Sequence, residues 1–182
     1  MLFFHWPGNV WGYGTEVIQP QVYASSKGAY AMSVLPNDPD GLSGATYEMK
    51  QGGDLLWSKQ LNFTAVMSDV SNKGDFITCS HSRGLDGGDL RSSWNDKGYL
   101  DVKLFDVAGQ LKWSQSIKRH SSMRMHASPE PSCTQVMINN HSKQAYVWYA
   151  TRQIEEALIA LDIKHPKQLN NVRFETPNLD EL

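Results

Sequence analysis

Cysteine is scarce in this chain: among 182 residues only Cys79 and Cys133 are present. So small a number excludes a dense disulfide framework and a zinc site with four cysteine ligands. The two cysteines also lie at non-equivalent places in the repeats of the chain. The sequence therefore predicts two reduced thiols rather than a disulfide.

Long apolar runs are missing as well. No segment approaches the ~20 apolar residues of a membrane-spanning helix, and the apolar residues 1–8 lack the basic region of a signal peptide. We therefore expect a cytoplasmic protein that has no membrane partner.

A marked excess of either charge is also absent. The formal net charge is −2, from 17 Lys and Arg against 19 Asp and Glu. No third of the chain has the basic excess that neutralises phosphates, so we expect no nucleic-acid partner. The glycine patterns that cradle phosphates or bind dinucleotides are missing too, and the sequence predicts no cofactor.

Candidate catalytic and metal-binding residues do not form a complete set. The six histidines are scattered, and His120 and His126 have no further ligands beside them. Cys79 and His81 would share one face of a strand, yet no third group is placed to orient the histidine. The sequence therefore predicts no catalytic residue, no metal site and no enzyme.

Two acidic loops, residues 37–41 and 86–89, have oxygen ligands to offer to calcium. If Gly41 were the sixth residue of a helix-loop-helix calcium site, Pro36 would be first and Tyr47 twelfth, and neither has a carboxylate. We interpret both loops as turns. Calcium binding by the two loops together stays open as an alternative.

An internal repeat is present, and it decides the fold. Lys27-Gly28 returns as Lys73-Gly74, and Trp57-Ser58 returns as Trp113-Ser114. The later landmarks are displaced further than the earlier ones, and an insertion at roughly residues 91–100 accounts for the change. In a fainter third copy, residues 133–138, 145–149 and 157–163 align on the second, third and fourth strands of the second unit.

Each unit is predicted to hold short strands joined by tight turns, because β-branched and aromatic segments alternate with Gly and Asp. Within one domain of 182 residues, the units span 22–61, 65–117 and 123–163, with a tail at 167–182. Residues 151–161 also fit a helix, but the repeat favours a hairpin and a strand there. Predicted strands are 22–25, 29–35, 45–50 and 55–61 in the first unit and 65–70, 75–80, 99–105 and 111–117 in the second.

Residues 105–113, with the sequence FDVAGQLKW, resemble the blade signature of the pyrroloquinoline-quinone-like group of β-propellers. Residues 158–166 resemble the outer-strand ending of other propeller blades. The resemblance covers about residues 22–166 and implies an all-β array of antiparallel four-stranded blades. It implies no chemistry, because such blades occur in dehydrogenases, scaffolds and binding proteins alike.

Three units are fewer than the about four to eight blades that usually close a propeller. Residues 1–14 and 171–175 could form an incomplete fourth blade, or two chains could close as a homodimer. The chain could also be a partial propeller that exposes an edge to a partner. A twisted β-sandwich of hairpins is the remaining alternative.

The tryptophans carry the functional prediction. Trp57 and Trp113, equivalent in the repeat, are predicted to pack adjacent blades together. Trp94 lies in the insertion among polar residues, with Arg91 and Asp96 nearby, which is the composition of a protein-interface anchor. We therefore predict that Arg91, Trp94 and Asp96 bind a protein partner.

Two classes of function compete on this sequence. The first is a non-catalytic binding module, most concretely a bacterial toxin-neutralising protein of the immunity type, or an assembly scaffold. The second is a propeller enzyme or ligand-binding domain with a dispersed site. The chain could also be a fragment of a larger propeller.

Overall fold

The computed structural model describes residues 17–39, 41–81, 99–118, 132–150 and 157–167. These residues form an all-β structure of three antiparallel sheets, and no helix among them is long and apolar enough to cross a membrane. The strands are β1 Gln21–Ala24, β2 Tyr30–Pro36, β3 Ala45–Gln51, β4 Asp54–Leu61, β5 Ala65–Val70, β6 Phe76–His81, β7 Tyr99–Phe105, β8 Leu111–Lys118, β9 Ser132–Asn139, β10 Gln144–Ala150 and β11 Ala157–Asp162.

The first sheet contains β1 to β4 in chain order, the second β5 to β8, and the third β9 to β11. The ends of the eight strands predicted in the first two units differ from the observed ends by no more than one residue. The strand predicted within residues 151–161 is confirmed as β11, while the hairpin before it lies outside the described residues. The all-β prediction is thus confirmed, whereas the sheets do not close into a ring within the described residues.

The first two sheets repeat one another down to their irregularities. Trp57 lies opposite Met49 and Trp113 lies opposite Leu104, and in both sheets the next pairing skips one residue. Such a β-bulge bends the strand and increases its twist at that point. The sequence repeat is therefore a repeat of local structure.

The strands of the third unit are shifted by one position relative to the alignment predicted from the sequence. β9 packs across β5 and β6 as β5 packs across β1 and β2, so β9 is the first strand of its sheet. Asp162 accepts the Lys164 and His165 N–H groups after β11, much as Asp106 accepts that of Gln110 after β7. The predicted alignment of residues 133–138 with a second strand is therefore wrong. Among the described residues, the third sheet lacks its fourth strand.

The second sheet lies between the other two, so both of its faces are buried. Phe76 and Phe105 pack with Tyr47 and Met49 of the first sheet, and Ile77 and Leu104 pack in a cluster with residues of the third. Alternation along each strand sends neighbouring side chains to the two clusters. This is why residues 76–80 of β6 are all buried.

The strands run between two ends of the molecule. We call the end that holds the turns after β1, β3, β5, β7, β9 and β11 the tight-turn end. The other end, which we call the loop end, holds the strand ends connected by residues 37–44, 62–64, 82–98, 119–131 and 151–156.

Candidate functional site

At the tight-turn end, polar side chains join all three sheets. Asn72 Oδ1 accepts hydrogen bonds from the Lys27 N–H at 2.9 Å and from the Ser26 hydroxyl at 3.2 Å. The Asn72 N–H donates to Asn140 Oδ1 at 2.6 Å, and Asn140 Nδ2 donates to Ser26 Oγ at 3.4 Å. Ser26, Asn72 and Asn140 each follow the first strand of a sheet within two residues. We call this triangle the three-turn junction.

The last strand of each four-stranded sheet docks on a turn of the next sheet. Trp57 Nε1 donates to the Val107 carbonyl at 2.7 Å, and the Lys59 ammonium donates to the Ala108 carbonyl. In the same way the Lys112 ammonium donates to the Ile163 carbonyl. The predicted packing role of Trp57 between the first two sheets is confirmed.

Trp113, its repeat equivalent, is partly buried against the apolar cluster shared by the second and third sheets. Its predicted packing role is therefore confirmed too. The tight-turn end thus carries a set of polar contacts that join each sheet to the next.

At the loop end, hydrogen bonds within residues 37–44 hold the acidic loop of the first sheet. The Asp38 carboxylate accepts the Leu42 and Ser43 N–H groups, and Asn37 binds Gly44 and Ser43 carbonyls. Desolvation alone would raise the pKa of Asp38, but these N–H donors outweigh it and lower the pKa. The turn interpretation is confirmed for this loop, because the Asp38 carboxylate accepts hydrogen bonds from backbone N–H groups of the same loop.

The second acidic loop, residues 86–89, lies outside the described residues, as do Asp40, His120 and His126. Within the described ranges, no three His, Cys, Asp or Glu side chains come together where they could hold a metal ion.

A polar patch lies at the base of the insertion, on the side of the second sheet that faces the first. Ser80, Asp101 and Ser116 lie side by side across three strands. Asp101 accepts a hydrogen bond from the Ser116 hydroxyl and forms an ion pair with Lys103 at 3.3 Å. The Lys103 ammonium lies 4.4 Å from the ring centre of Phe63, in the link between β4 and β5. We call Ser80, Asp101, Lys103 and Ser116 the basal patch.

The basal patch is costly to bury. The side chains of Lys103 and Asp101 are only 20 % and 21 % exposed, so desolvation offsets much of the attraction of the pair. Among the described residues, the buried Ser80 hydroxyl has no hydrogen-bond partner, which costs about 1 to 3 kcal/mol. Departures of this kind from an apolar core are typical of functional sites.

The basal patch does not have the arrangement of a nucleophilic centre. Within the part of the chain that the structure describes, no base contacts the Ser80 hydroxyl, and Asp101 is already engaged by Lys103 and Ser116. An activated serine needs an adjacent general base.

The insertion lies in the connection between the two strands that carry most of the basal patch. Residues 82–98 connect β6 to β7, and this connection is about twice as long as residues 37–44 in the first sheet. Pairing of β6 with β7 continues up to His81 opposite Leu100, so the insertion starts from a firmly paired base. The predicted site residues Arg91, Trp94 and Asp96 themselves lie outside the described residues.

Sequence reasoning missed Asp101 and Lys103, although a signal for them exists. A strand in the middle of a stack, buried on both faces, normally carries few charges. In β7, Asp101 and Lys103 alternate with Leu100, Val102 and Leu104. Recognising the signal requires knowing that this sheet is the middle one.

The candidate pair of Cys79 and His81 is not suited to nucleophilic catalysis. The neighbouring Cys133 thiol, together with burial, raises the pKa of the Cys79 thiol far above its usual range. A thiol acts as a nucleophile in its thiolate form. Cys79 therefore stays protonated and unreactive in the folded protein at neutral pH.

Comparison with known proteins assigns no family. Neither a protein-family model nor a curated protein sequence matches the chain. A solved structure of hydrazine synthase from Kuenenia stuttgartiensis is similar, with a TM-score of 0.43 and 14 % identity over 71 % of this chain. The match spans 31 % of that structure's chain. A likeness this distant carries no argument about fold or function.

Proposed function

We propose that this protein is a non-catalytic, cytoplasmic protein-binding module whose partner binds at the loop end. The observation that carries the proposal is the place of the connection that contains the insertion: it joins the ends of β6 and β7 in the middle sheet, the ends that carry Ser80 and Asp101 of the basal patch. Trp94 is the proposed anchor, with Arg91 and Asp96 making polar contacts at its rim. Interfaces concentrate their binding energy in a few aromatic and Arg side chains.

The packing of the middle sheet favours this position for a binding loop. Both faces of β6 and β7 are covered by neighbouring sheets, so the base of the insertion is rigid. A rigid base lowers the entropy lost on binding, which raises affinity without any added contact. The first sheet, in contrast, carries at this end a short loop occupied by its own hydrogen bonds.

For the fold we propose a partial β-propeller. Successive first strands lie next to one another, and the three-turn junction brings the three sheets together near one axis. Burial and the nearby Cys133 raise the pKa of Tyr23 to about 12, and this β1 side chain packs against the apolar cluster between the first two sheets. These contacts support radial stacking of blades over a sandwich of hairpins.

Completion of the ring by a homodimer is the less favoured arrangement. The outer face of the first sheet carries Thr46, Glu48 and Lys50, and the last two form an ion pair at 3.9 Å. A second copy stacked on this face would have to desolvate both charges. We therefore favour an incomplete array that is open to a different protein.

The concrete forms of the proposal are a toxin-neutralising protein of the immunity type and an assembly scaffold. Both act by surface complementarity alone. A toxin gene immediately upstream would favour neutralisation. Blade repeats that continue in the same reading frame would instead favour a fragment of a larger propeller.

The test compares two baits in an extract of the native cells. One is the wild-type protein, and in the other residues 84–97 are replaced by a short Gly-Asn link that leaves β6 and β7 intact. We expect the wild type to retain a partner that the shortened bait loses, with equal melting temperatures for the two. Equal titrated affinity for the recovered protein would contradict the proposal, as would turnover of a small molecule by the isolated chain.

A further inference from the structure

The two cysteines come from different sheets and lie side by side in the core. Cys79 is in β6, opposite Met67 and Val102, and Cys133 is in β9, opposite Tyr149. Both belong to the apolar cluster that joins the second and third sheets. In the structure both are thiols, and the Cys133 thiol is the largest single cause of the raised pKa of the Cys79 thiol.

Contacts nearer the tight-turn end than the cysteines fix how the two sheets approach. β9 crosses β5 and β6, and the Asp69 carboxylate of β5 accepts the Ile138 N–H of β9 at 2.6 Å. Beyond it the three-turn junction ties Asn72 to Asn140 at 2.6 Å. These contacts align β9 with β5 and β6 without involving the sulfur atoms. With two cysteines in the chain, a single intramolecular pairing exists.

We propose that Cys79 and Cys133 are a cross-link site, at which a disulfide locks the third sheet onto the second when the chain folds with a small-molecule disulfide as oxidant. The Cys133 thiolate attacks one sulfur of the oxidant and releases one small thiolate. The Cys79 thiolate then attacks the Cys133 sulfur of the mixed disulfide and releases the second. Each cysteine gives up one proton to a small thiolate, and two electrons pass from the pair to the oxidant.

Burial sets the time at which this exchange occurs. Cys79 is 0 % exposed and Cys133 is 8 % exposed, so reagents reach the sulfur atoms only before the core closes. In the folded protein Cys79 also stays protonated, which stops the second step. The cross-link is therefore made during folding, and the same burial afterwards protects it from reductants. It is a lock rather than a reversible switch.

The experiment refolds one preparation of unfolded, reduced protein in two portions. One portion contains oxidised and reduced glutathione, and the other contains a phosphine reductant. In the first we expect an intact mass lower by about two units, for two lost hydrogens. We also expect a melting temperature higher by about 10 °C, because the bond closes a long loop of the unfolded chain.

Controls separate a lock from general oxidation. Native reduced protein, held with the same glutathione mixture for the same time, should keep both thiols. The Cys133→Ser variant should refold alike in both portions. Glutathione adducts on the cysteines without the loss of two hydrogens would overturn the proposal, as would a cross-linked product that melts no higher than the reduced protein.

Discussion

The two ends of the molecule use the same kind of residue differently. At the tight-turn end, Asn and Ser side chains connect one sheet to another, as Asn72 does between Ser26 and Asn140. At the loop end, Asp38 and Asn37 bind within their own loop, and Asp101 binds within its own sheet. Among the described residues, the first end makes most of the polar contacts between sheets, whereas the second makes few, such as that of the Ala65 N–H to the Tyr47 hydroxyl. Changes at the two ends should therefore affect stability and binding separately.

The largest effect should come from the tryptophan that docks the first sheet on the second. Trp57→Ala removes a large packed ring and the bond to Val107, and we expect a loss of about 3 to 5 kcal/mol in the free energy of unfolding. Trp57→Phe keeps most of the ring and should lose only about 1 kcal/mol, the value of one hydrogen bond. Denaturant unfolding measures both.

Trp113→Ala should cost about as much as Trp57→Ala, since the two hold equivalent places beside a β-bulge. If both alanine variants unfold at the wild-type denaturant concentration, neither tryptophan joins the sheets, and the structural role of this end is lost.

Next in size is a pair of equivalent turn glycines. Gly28 and Gly74 have φ values of 67° and 85°, where a side chain is strained. A Cβ on Gly74 would lie 2.4 Å from Val107 and 3.0 Å from Tyr30, whereas one on Gly28 would meet nothing within 4 Å. We expect Gly74→Ala to cost about 2 to 3 kcal/mol and Gly28→Ala about 1 kcal/mol. Equal melting of the two variants would show that the turn after β5 is not packed between sheets.

The sequence predicts the tight-turn end better than the loop end, for a physical reason. Gly28, Gly74 and the alternation along each strand are local signals, because turn conformation and strand face depend on adjacent residues. The position of Trp57 could be predicted too, since the repeat identified its partner Trp113. The bulges beside them could not, because they depend on the pairing of two strands.

Three features could not be predicted from the sequence, because they depend on how strands and sheets are placed relative to one another. A first and a second strand look alike in a faint repeat, so the alignment of the third unit slipped by one strand. The basal patch around Asp101 depends on which sheet faces which. The contact between Cys79 and Cys133 joins non-equivalent positions of different sheets, and a repeat carries no information about such a pair.

A smaller effect concerns Asp69, which helps to fix the third sheet. Burial raises its pKa, although the Ile138 and Val70 N–H groups act in the opposite direction. The unfolded chain therefore loses this proton at lower pH than the folded one, so Asp69 destabilises the fold increasingly as pH rises above about 4. Denaturant unfolding should show that the free energy of unfolding of the wild type falls, relative to that of Asp69→Asn, as pH rises across this range. A constant difference would contradict the raised pKa.

The smallest stability change should come from the turn of the third sheet. Lys143 has φ of 59°, and among the described residues it is the one non-glycine with positive φ. Gly28 and Gly74 end the corresponding turns of the other sheets. We expect Lys143→Gly to stabilise the protein by about 0.5 to 1 kcal/mol, because glycine adopts a positive φ without strain. The gain is reduced by loss of the hydrogen bond that the Lys143 ammonium donates to the Asn140 carbonyl. A destabilised variant would show that this contact outweighs the backbone strain.

The most direct test of the account compares affinity for the recovered partner in one variant from each end. Trp94→Ala removes the proposed anchor at the loop end, and Lys73→Ala removes an exposed side chain at the tight-turn end. By titration calorimetry we expect Trp94→Ala to weaken binding by about 2 kcal/mol, or roughly 30-fold in Kd, with an unchanged melting temperature. Lys73→Ala should bind like the wild type. Unaltered affinity of the Trp94 variant, or a larger loss in the Lys73 variant, would contradict the assignment of binding to the loop end.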